Sequence, residues 1–413
     1  MPDRGEMVSG MVRILTQPCK VATNYFAVGG YAATFLNMGL VGLICLGLFL
    51  VFHGTPNNVS NLGVILTVGF GSWGINILNI WPTIFGVFVY CWVKKEKLGS
   101  NVNAMLYSTG IAPLITDLLI RYPHAEVVGF NLPGLLITLL VGFVIGFFLP
   151  AGMAFSPKVH LGFDLYSAAL PMGMTAFFLQ ATLFKTMGVA IPAAPDAAML
   201  KVASPAIVNG FCLALFGLSI LLAAWMGCGA RDYWTLLRDP ALVTDFAATY
   251  NNAVFLMNFG VFGLFILGYY NLIGASLNGV TFGIIFCMLS TCNSGSHPGN
   301  VWPIMLGYVL GSGIFGALSS LAGGSFAGAI NAQAIVIGLC YANGLSPIAD
   351  RYGWHCGVLA ALMHYVLVTS VPALHGGFCL YNGGFTAALI CMILVPQLEK
   401  FYRTKEERLS SRS

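Results

Sequence analysis

Asp164 stands four residues after His160 in the phrase His160-Leu-Gly-Phe-Asp164-Leu-Tyr166, inside an otherwise apolar stretch. A carboxylate in such surroundings is costly enough to mark a functional candidate by default, usually with a partner. Four residues are one helical turn, so the imidazole and the carboxylate can pair if the stretch is helical. Such a pair would titrate as a unit and could carry a proton or hold a cation. The alternative is a capping role, with His160 at the interface after Ser156-Pro-Lys158 and Asp164 starting the next helix. The phrase returns as His375-Gly-Gly-Phe-Cys379-Leu-Tyr381, followed by Asn382-Gly-Gly, with cysteine in place of the acid. An imidazole, a phenol and an amide suit recognition of an uncharged polar ligand, and they equally suit a helix start.

Asn37 and Asn258 lie at corresponding places in two apolar segments. They either present amides to a polar solute or hydrogen-bond across a helix interface. His297, in Ser294-Gly-Ser-His-Pro, aligns with Asn76, and with Asn293 these residues are expected to line a site. Asp117 and Arg121, four apart, are expected to form a local pair, Asp350-Arg351 an interfacial loop, and His364 a packing contact. The substrate-path candidates are therefore Asn37, Asn258, Asn76, Asn293, His297, His375, Tyr381 and Asn382, with Asp164 and His160 as the coupling pair. No HExxH, GxSxG triad, phosphate loop or dinucleotide fingerprint is present. The eleven cysteines are scattered singly without ligand spacing and read as small buried hydrophobes. No catalytic residue, metal ligand or cofactor is assigned.

The elements that must position these residues are membrane helices. The chain is 58% hydrophobic and 8% charged, far from the quarter of charged residues usual in soluble proteins. Apolar runs such as Tyr31–Val51, Leu132–Leu149, Ile207–Trp225 and Val254–Leu272 are long enough to cross a bilayer. The fold class expected is an all-α polytopic membrane protein, with no removable signal peptide.

Two copies of one unit are legible. Asn37-Met-Gly39-Leu-Val-Gly42-Leu43 aligns with Asn258-Phe-Gly260-Val-Phe-Gly263-Leu264, and Asn79-Ile-Trp81-Pro82 with Asn300-Val-Trp302-Pro303 at the same spacing. Residues 67–82 and 288–303 are too short and too rich in Gly, Asn and Ser for regular spanning helices. Broken backbone at membrane depth is tolerated only inside protein or against a cavity, and paired breaks in two halves point to a transporter's binding site. The boundaries expected are an N-terminal segment 1–30, a first repeat 31–190, a linker 191–250 with an extra apolar helix, a second repeat 251–396 and a tail 397–413. Lys94-Lys95-Glu-Lys97 follows the first Trp-Pro helix, whereas Phe315–Ser320 is uncharged. That asymmetry favours inverted over parallel repeats, with the cationic loop and both termini on the cytoplasmic side of the cell membrane.

The Asn/Gly helix, the Trp-Pro helix start and the late His-Gly-Gly phrase resemble a family of bacterial multi-pass membrane proteins of unknown function. Residues 29–50 (GGYAATFLNMGLVGLICLGLFL) also resemble the Gly-x-x-Gly-Phe-Asn-x-x-Leu-Val-Gly helix of urea transporters, which implies inverted repeats around a pore. The Leu-Pro-x-x-Thr-x-Pro-Phe motif of that family has no counterpart with its spacing here.

The function expected is a channel or secondary transporter for a small polar solute, on a path between two pseudo-symmetric halves, with proton or cation coupling open. The alternatives are a membrane-embedded enzyme acting on a lipid or isoprenoid, and a structural membrane protein. The expected partners are the solute and the lipid bilayer, with homo-oligomerisation open and no nucleic acid.

Overall fold

The computed structural model describes residues 1, 3–191, 202–238, 242 and 244–410. Among these residues the secondary structure is helical throughout. An N-terminal helix α1 (Met7–Thr16) precedes α2 (Tyr31–Val51), α3 (Asn58–Phe70), α4 (Trp81–Lys94), α5 (Val102–Ser108), α6 (Ala112–Arg121), α7 (Leu132–Phe155) and α8 (Ala169–Gln180). An apolar helix α9 (Pro205–Trp225) follows. The second half comprises α10 (Ala230–Leu236), α11 (Asn252–Leu272), α12 (Gly279–Leu289), α13 (Pro298–Leu321), α14 (Gln333–Ala342), α15 (Ser346–Tyr352), α16 (Trp354–Val368) and α17 (Asn382–Phe401), before a short α18 (Lys405–Ser410). Among the described residues seven helical stretches are long and apolar enough to cross a membrane, which fits a multi-pass membrane protein.

The duplication is written in the hydrogen bonds. The Asn37 amide donates to the carbonyls of Gly71 and Ile75 at 2.7 and 2.8 Å. The Asn258 amide donates to those of Cys292 and Ser296 at 2.8 and 2.9 Å. All three positions are displaced by the same 221 residues (37 to 258, 71 to 292, 75 to 296). These are the irregular turns that interrupt the helices, so each intramembrane amide satisfies carbonyls that a broken helix leaves bare.

The two copies cap one another. Asn24 Oδ1 begins the short helix Tyr25–Gly29 and also accepts the Gly279 N–H at 2.9 Å, at the start of α12. Asp245 starts its counterpart, Phe246–Thr249, and accepts the Asn58 N–H at 3.0 Å, at the start of α3. Ser72, just past α3, donates to the Gly279 carbonyl at 2.7 Å, and Ser294, just past α12, donates to that of Asn58 at 3.5 Å. The start of each helix therefore sits beside the end of its twin. Two equivalent helices packed antiparallel are related by a pseudo-twofold perpendicular to their length, so the repeats are inverted. Their contact is tight: a Cβ on Gly69 would lie 2.7 Å from the Gly283 carbonyl.

Each half contains six helical segments, α5–α6 and α14–α15 each counting as one interrupted segment. The single intervening helix α9 joins the first copy to the antiparallel second one. The N-terminal segment lies at one face of the bundle, where the Val21 N–H donates to Gly377 O at 2.8 Å. The opposite face gathers Asn58, Phe163 stacked on Tyr352 at 5.8 Å, and the C-terminal Arg408, which donates to Tyr352 O.

Several expectations change. The equivalent residues Asn24 and Asp245 stand before the expected repeat starts at 31 and 251. The second Trp-Pro helix begins at Pro298 rather than at Trp302, because His297 and Asn300 form a capping box and proline takes the first turn. Asp350 is no loop residue: it lies in α15 and accepts from the Asn300 amide at 2.6 Å. The Asp117–Arg121 pair forms at 3.4 Å.

Candidate functional site

Each seven-residue phrase docks into the interrupted helix of the other repeat. The Leu165 N–H donates to Gly344 O at 3.1 Å, and the Leu380 N–H donates to Gly110 O at 2.7 Å. Gly344 and Gly110 belong to matching interruptions, Asn343-Gly-Leu-Ser-Pro347 and Thr109-Gly-Ile-Ala-Pro113, each between two short helices. Glycine is needed at both places because a ring covers the backbone. A Cβ on Gly344 would lie 2.7 Å from the Tyr166 ring and 3.0 Å from Asp164 Oδ1, and one on Gly110 would run into the Tyr381 ring. Within each phrase the histidine ties the loop to the residue seven positions on: His160 Nε2 to Ser167 Oγ at 2.8 Å, and His375 Nδ1 to Asn382 Oδ1.

Beside the first phrase lies a cavity of about 240 Å³. Its wall comes from the start of α3, the stretch from Met153 to Ala169, Tyr107 on α5, and Ser294 and Tyr381 of the second repeat. The cavity thus lies where the halves meet. Asp164 borders it and is 1% exposed. Its Oδ1 accepts the Tyr166 N–H at 2.9 Å, whereas its Oδ2 is buried without a hydrogen-bond partner. The Tyr381 hydroxyl is also buried and unpartnered. Among the described residues no lysine or arginine lines the space.

Of the residues singled out in the sequence, the structure brings His160, Asp164 and Tyr381 to this cavity. The expected ion pair does not form. The stretch is not helical after His160, since Leu161 turns left-handed at φ 54°. His160 Nδ1 instead accepts the Asp164 backbone N–H at 3.4 Å. The Asp164 carboxylate holds an Asx-type turn onto Tyr166, three residues before α8 begins at Ala169.

Asn37, Asn258, Asn76, Asn293 and His297 lie away from the cavity wall and organise the breaks. Asn76 Oδ1 accepts the N–H groups of Leu78 and Asn79, the His297 ring accepts that of Gly299 at 3.1 Å, and Asn293 Oδ1 accepts that of Ala247 at 2.9 Å. His375 and Asn382 bond each other outside the wall. His364 packs as expected, bonded to the Tyr308 hydroxyl at 2.7 Å and to Gly383 O at 2.8 Å.

Tyr107, Tyr166, Asn79 and Asn300 were not anticipated as site or support residues. Asn79 and Asn300 donate to Thr116 Oγ1 at 2.9 Å and to Asp350 Oδ2, joining each break to the next interrupted helix. The missed signal was the match of Thr109–Pro113 to Asn343–Pro347, which an insertion in the second copy moves to a spacing of 234 (110 to 344). All eleven cysteines are buried and free. Among the described residues no group of three or more His, Cys, Asp or Glu is placed to hold a metal.

Antiparallel twin repeats, paired breaks and an interfacial cavity with a buried carboxylate define a polytopic helical membrane protein of inverted-repeat construction. The chain belongs to the family described as "Protein of unknown function (DUF1576)", whose model matches residues 3–185 and 230–400. The interval between the matched regions contains α9, the helix outside the duplication. No curated protein and no solved structure matches the chain. The likeness to urea transporters therefore stands on residues 29–50 alone.

Proposed function

We propose that this protein is a secondary transporter for a small polar solute, with the binding place at the cavity beside Asp164 and Asp164 as the group that couples a proton or cation. The observation that carries this is a buried carboxylate oxygen without a partner, on a residue that lines a cavity at the junction of two inverted repeats. Duplicated, interrupted helices meeting near a cavity are how alternating-access carriers build a site, and an intramembrane carboxylate is the group such a carrier uses for ions. A carrier is favoured over an open channel because the pseudo-twofold contact between α3 and α12 is closed by backbone-to-backbone packing at Gly69 and Gly283.

The rival lipid-acting enzyme needs an assembled acid–base pair. Here the His160 imidazole is engaged by Ser167 and by the Asp164 backbone rather than by its carboxylate, which favours transport. The break regions serve as re-entrant elements, held by Asn37 and Asn258.

Orientation follows from charge. The face that gathers the C-terminal Lys400, Arg403 and Arg408 also carries Lys94, Lys95 and Lys97, reached through the close contact of Gly54 with Gly99. We assign that face to the cytoplasm of a cell membrane. On this assignment the N-terminal segment lies on the other side, whereas the loop charges alone favoured two cytoplasmic termini. Solute uptake into proteoliposomes tests the function. Uptake equal to that of empty vesicles across amides, ammonium compounds, short carboxylates and amino acids would remove it.

A further inference from the structure

The wall of the cavity restricts what it can take. Its surface is mostly apolar, with Val59, Leu62, Leu66, Met153 and Leu165 around it and the rings of Tyr107, Tyr166 and Tyr381 at its border. Nearly every polar side chain present is already committed. The Tyr107 hydroxyl donates to Val59 O at 2.8 Å, and that of Tyr166 lies within hydrogen-bond distance of acceptors in α12, α14 and the α14–α15 interruption. Asn58 is bonded to Thr244 O and to the Val59 N–H, Ser294 to Asn58 O, and His160 and Ser167 to each other. What remains without a hydrogen-bond partner is one carboxyl oxygen, Asp164 Oδ2, and one hydroxyl, that of Tyr381.

A carboxylate or zwitterion would meet the Asp164 charge with no cation on the wall to balance it. A sugar or other polyol would bury hydroxyls with too few partners, each at a cost. A cation with an apolar body meets every condition: Asp164 accepts its N–H in a charge-assisted hydrogen bond, aromatic faces attract its charge, and the aliphatic wall covers its body. Size agrees. The space is larger than the cavity of about 150 Å³ that holds one benzene molecule, leaving room for an ammonium arm.

We propose that the cavity binds a small lipophilic ammonium ion, with its N–H groups on Asp164 Oδ2 and its apolar body against α3 and Met153. This names the substrate class of the transport site and rests on that reading of the site.

The test is equilibrium binding of benzylammonium to the full-length protein in detergent micelles, with benzyl alcohol and benzoate as isosteric controls. Saturable binding of benzylammonium is expected, with benzyl alcohol weaker by roughly tenfold or more and benzoate not bound. Asp164→Asn should weaken benzylammonium by roughly 10- to 100-fold while elution volume and melting temperature stay close to wild type. Benzyl alcohol binding as tightly as benzylammonium, or Asp164→Asn binding it like wild type, overturns the proposal.

A second readout does not depend on the Asp164 variant folding. Met153→Cys places one reactive thiol at the cavity, against a background of buried native cysteines. Benzylammonium should slow its modification by a small thiol reagent and benzoate should not; equal rates with and without benzylammonium contradict the proposal. Binding in micelles without amine uptake in proteoliposomes would contradict the transporter reading alone. Uptake of another solute class with no ammonium binding would contradict this inference alone.

Discussion

Tyr166 and Tyr381 occupy equivalent positions 215 residues apart, yet one hydroxyl is surrounded by acceptors and the other has none. Tyr166 Oη lies 2.9 Å from Cys287 O, 3.1 Å from Cys340 O and 2.9 Å from Asn343 Oδ1. Tyr381 Oη is buried without a partner. Both rings border the cavity, so the inherited hydroxyl was fastened in one copy and left without a partner in the other. Tyr166→Phe should lower stability by about 1–2 kcal/mol, the usual cost of losing a buried hydrogen bond. Tyr381→Phe should change it by less than about 0.5 kcal/mol. Thermal melting in detergent separates them, and equal losses would show that the asymmetry is not real.

Asn37 and Asn258 act as fasteners of the breaks. Each amide makes two hydrogen bonds, and membrane-embedded hydrogen bonds measure about 0.6 to 1.7 kcal/mol each. Asn37→Ala and Asn258→Ala should therefore each cost about 1–3 kcal/mol and lower the yield of folded protein. Asn258→Ala should cost more, because Asn258 Oδ1 also receives the Tyr233 hydroxyl at 3.2 Å, whereas Asn37 Oδ1 has no partner. A variant with wild-type melting but altered solute affinity would place these amides on the path instead.

Gly344→Ala and Gly110→Ala probe the cross-docked phrases. A methyl at either position strikes a buried tyrosine ring, and overpacking of this kind typically costs about 1–3 kcal/mol. The effect at Gly344 should reach the cavity as well, because the same methyl approaches Asp164 Oδ1. Melting temperature should fall in both variants, and ligand binding should weaken further in Gly344→Ala than in Gly110→Ala. Unchanged melting in both would contradict the docking geometry.

The orientation proposed above puts the two chain ends on opposite sides of the membrane. Reporter fusions or protease protection in oriented vesicles should find the tail after Phe401 on the cytoplasmic side and the segment before Tyr31 on the other. Both ends on one side would contradict that orientation.

Much of this architecture was legible in the chain because inverted duplication leaves its mark on spacing. Asn37 with Asn258, Asn79 with Asn300, and His160 with His375 were each visible as pairs. Their roles were not. Both asparagine readings fitted the same residues, and only the positions of the Gly71, Ile75, Cys292 and Ser296 carbonyls separate a fastener from a solute contact. The Asp164–His160 pair failed because four-residue spacing implies contact only on a helix, and the chain leaves the helix at Leu161. The cavity's aromatic border was hidden for another reason. Tyr107 reaches it through an interrupted helix whose twin is out of step by the insertion before Asn343.

The most direct test of the central claim is uptake by proteoliposomes containing wild-type protein or Asp164→Asn, with and without an imposed pH gradient. Among the described residues Asp164 is the only carboxylate on the cavity wall; the other titratable groups there are His160, Tyr107, Tyr166 and Tyr381. Wild-type vesicles should take up a small amine above the level of empty vesicles, in proportion to the gradient. Asp164→Asn, folded and inserted to the same extent, should lose at least about nine-tenths of that uptake, in line with a charge-assisted contact, and should not respond to the gradient. Wild-type uptake and gradient response in the Asp164→Asn vesicles would contradict the assignment of this carboxylate as the coupling group.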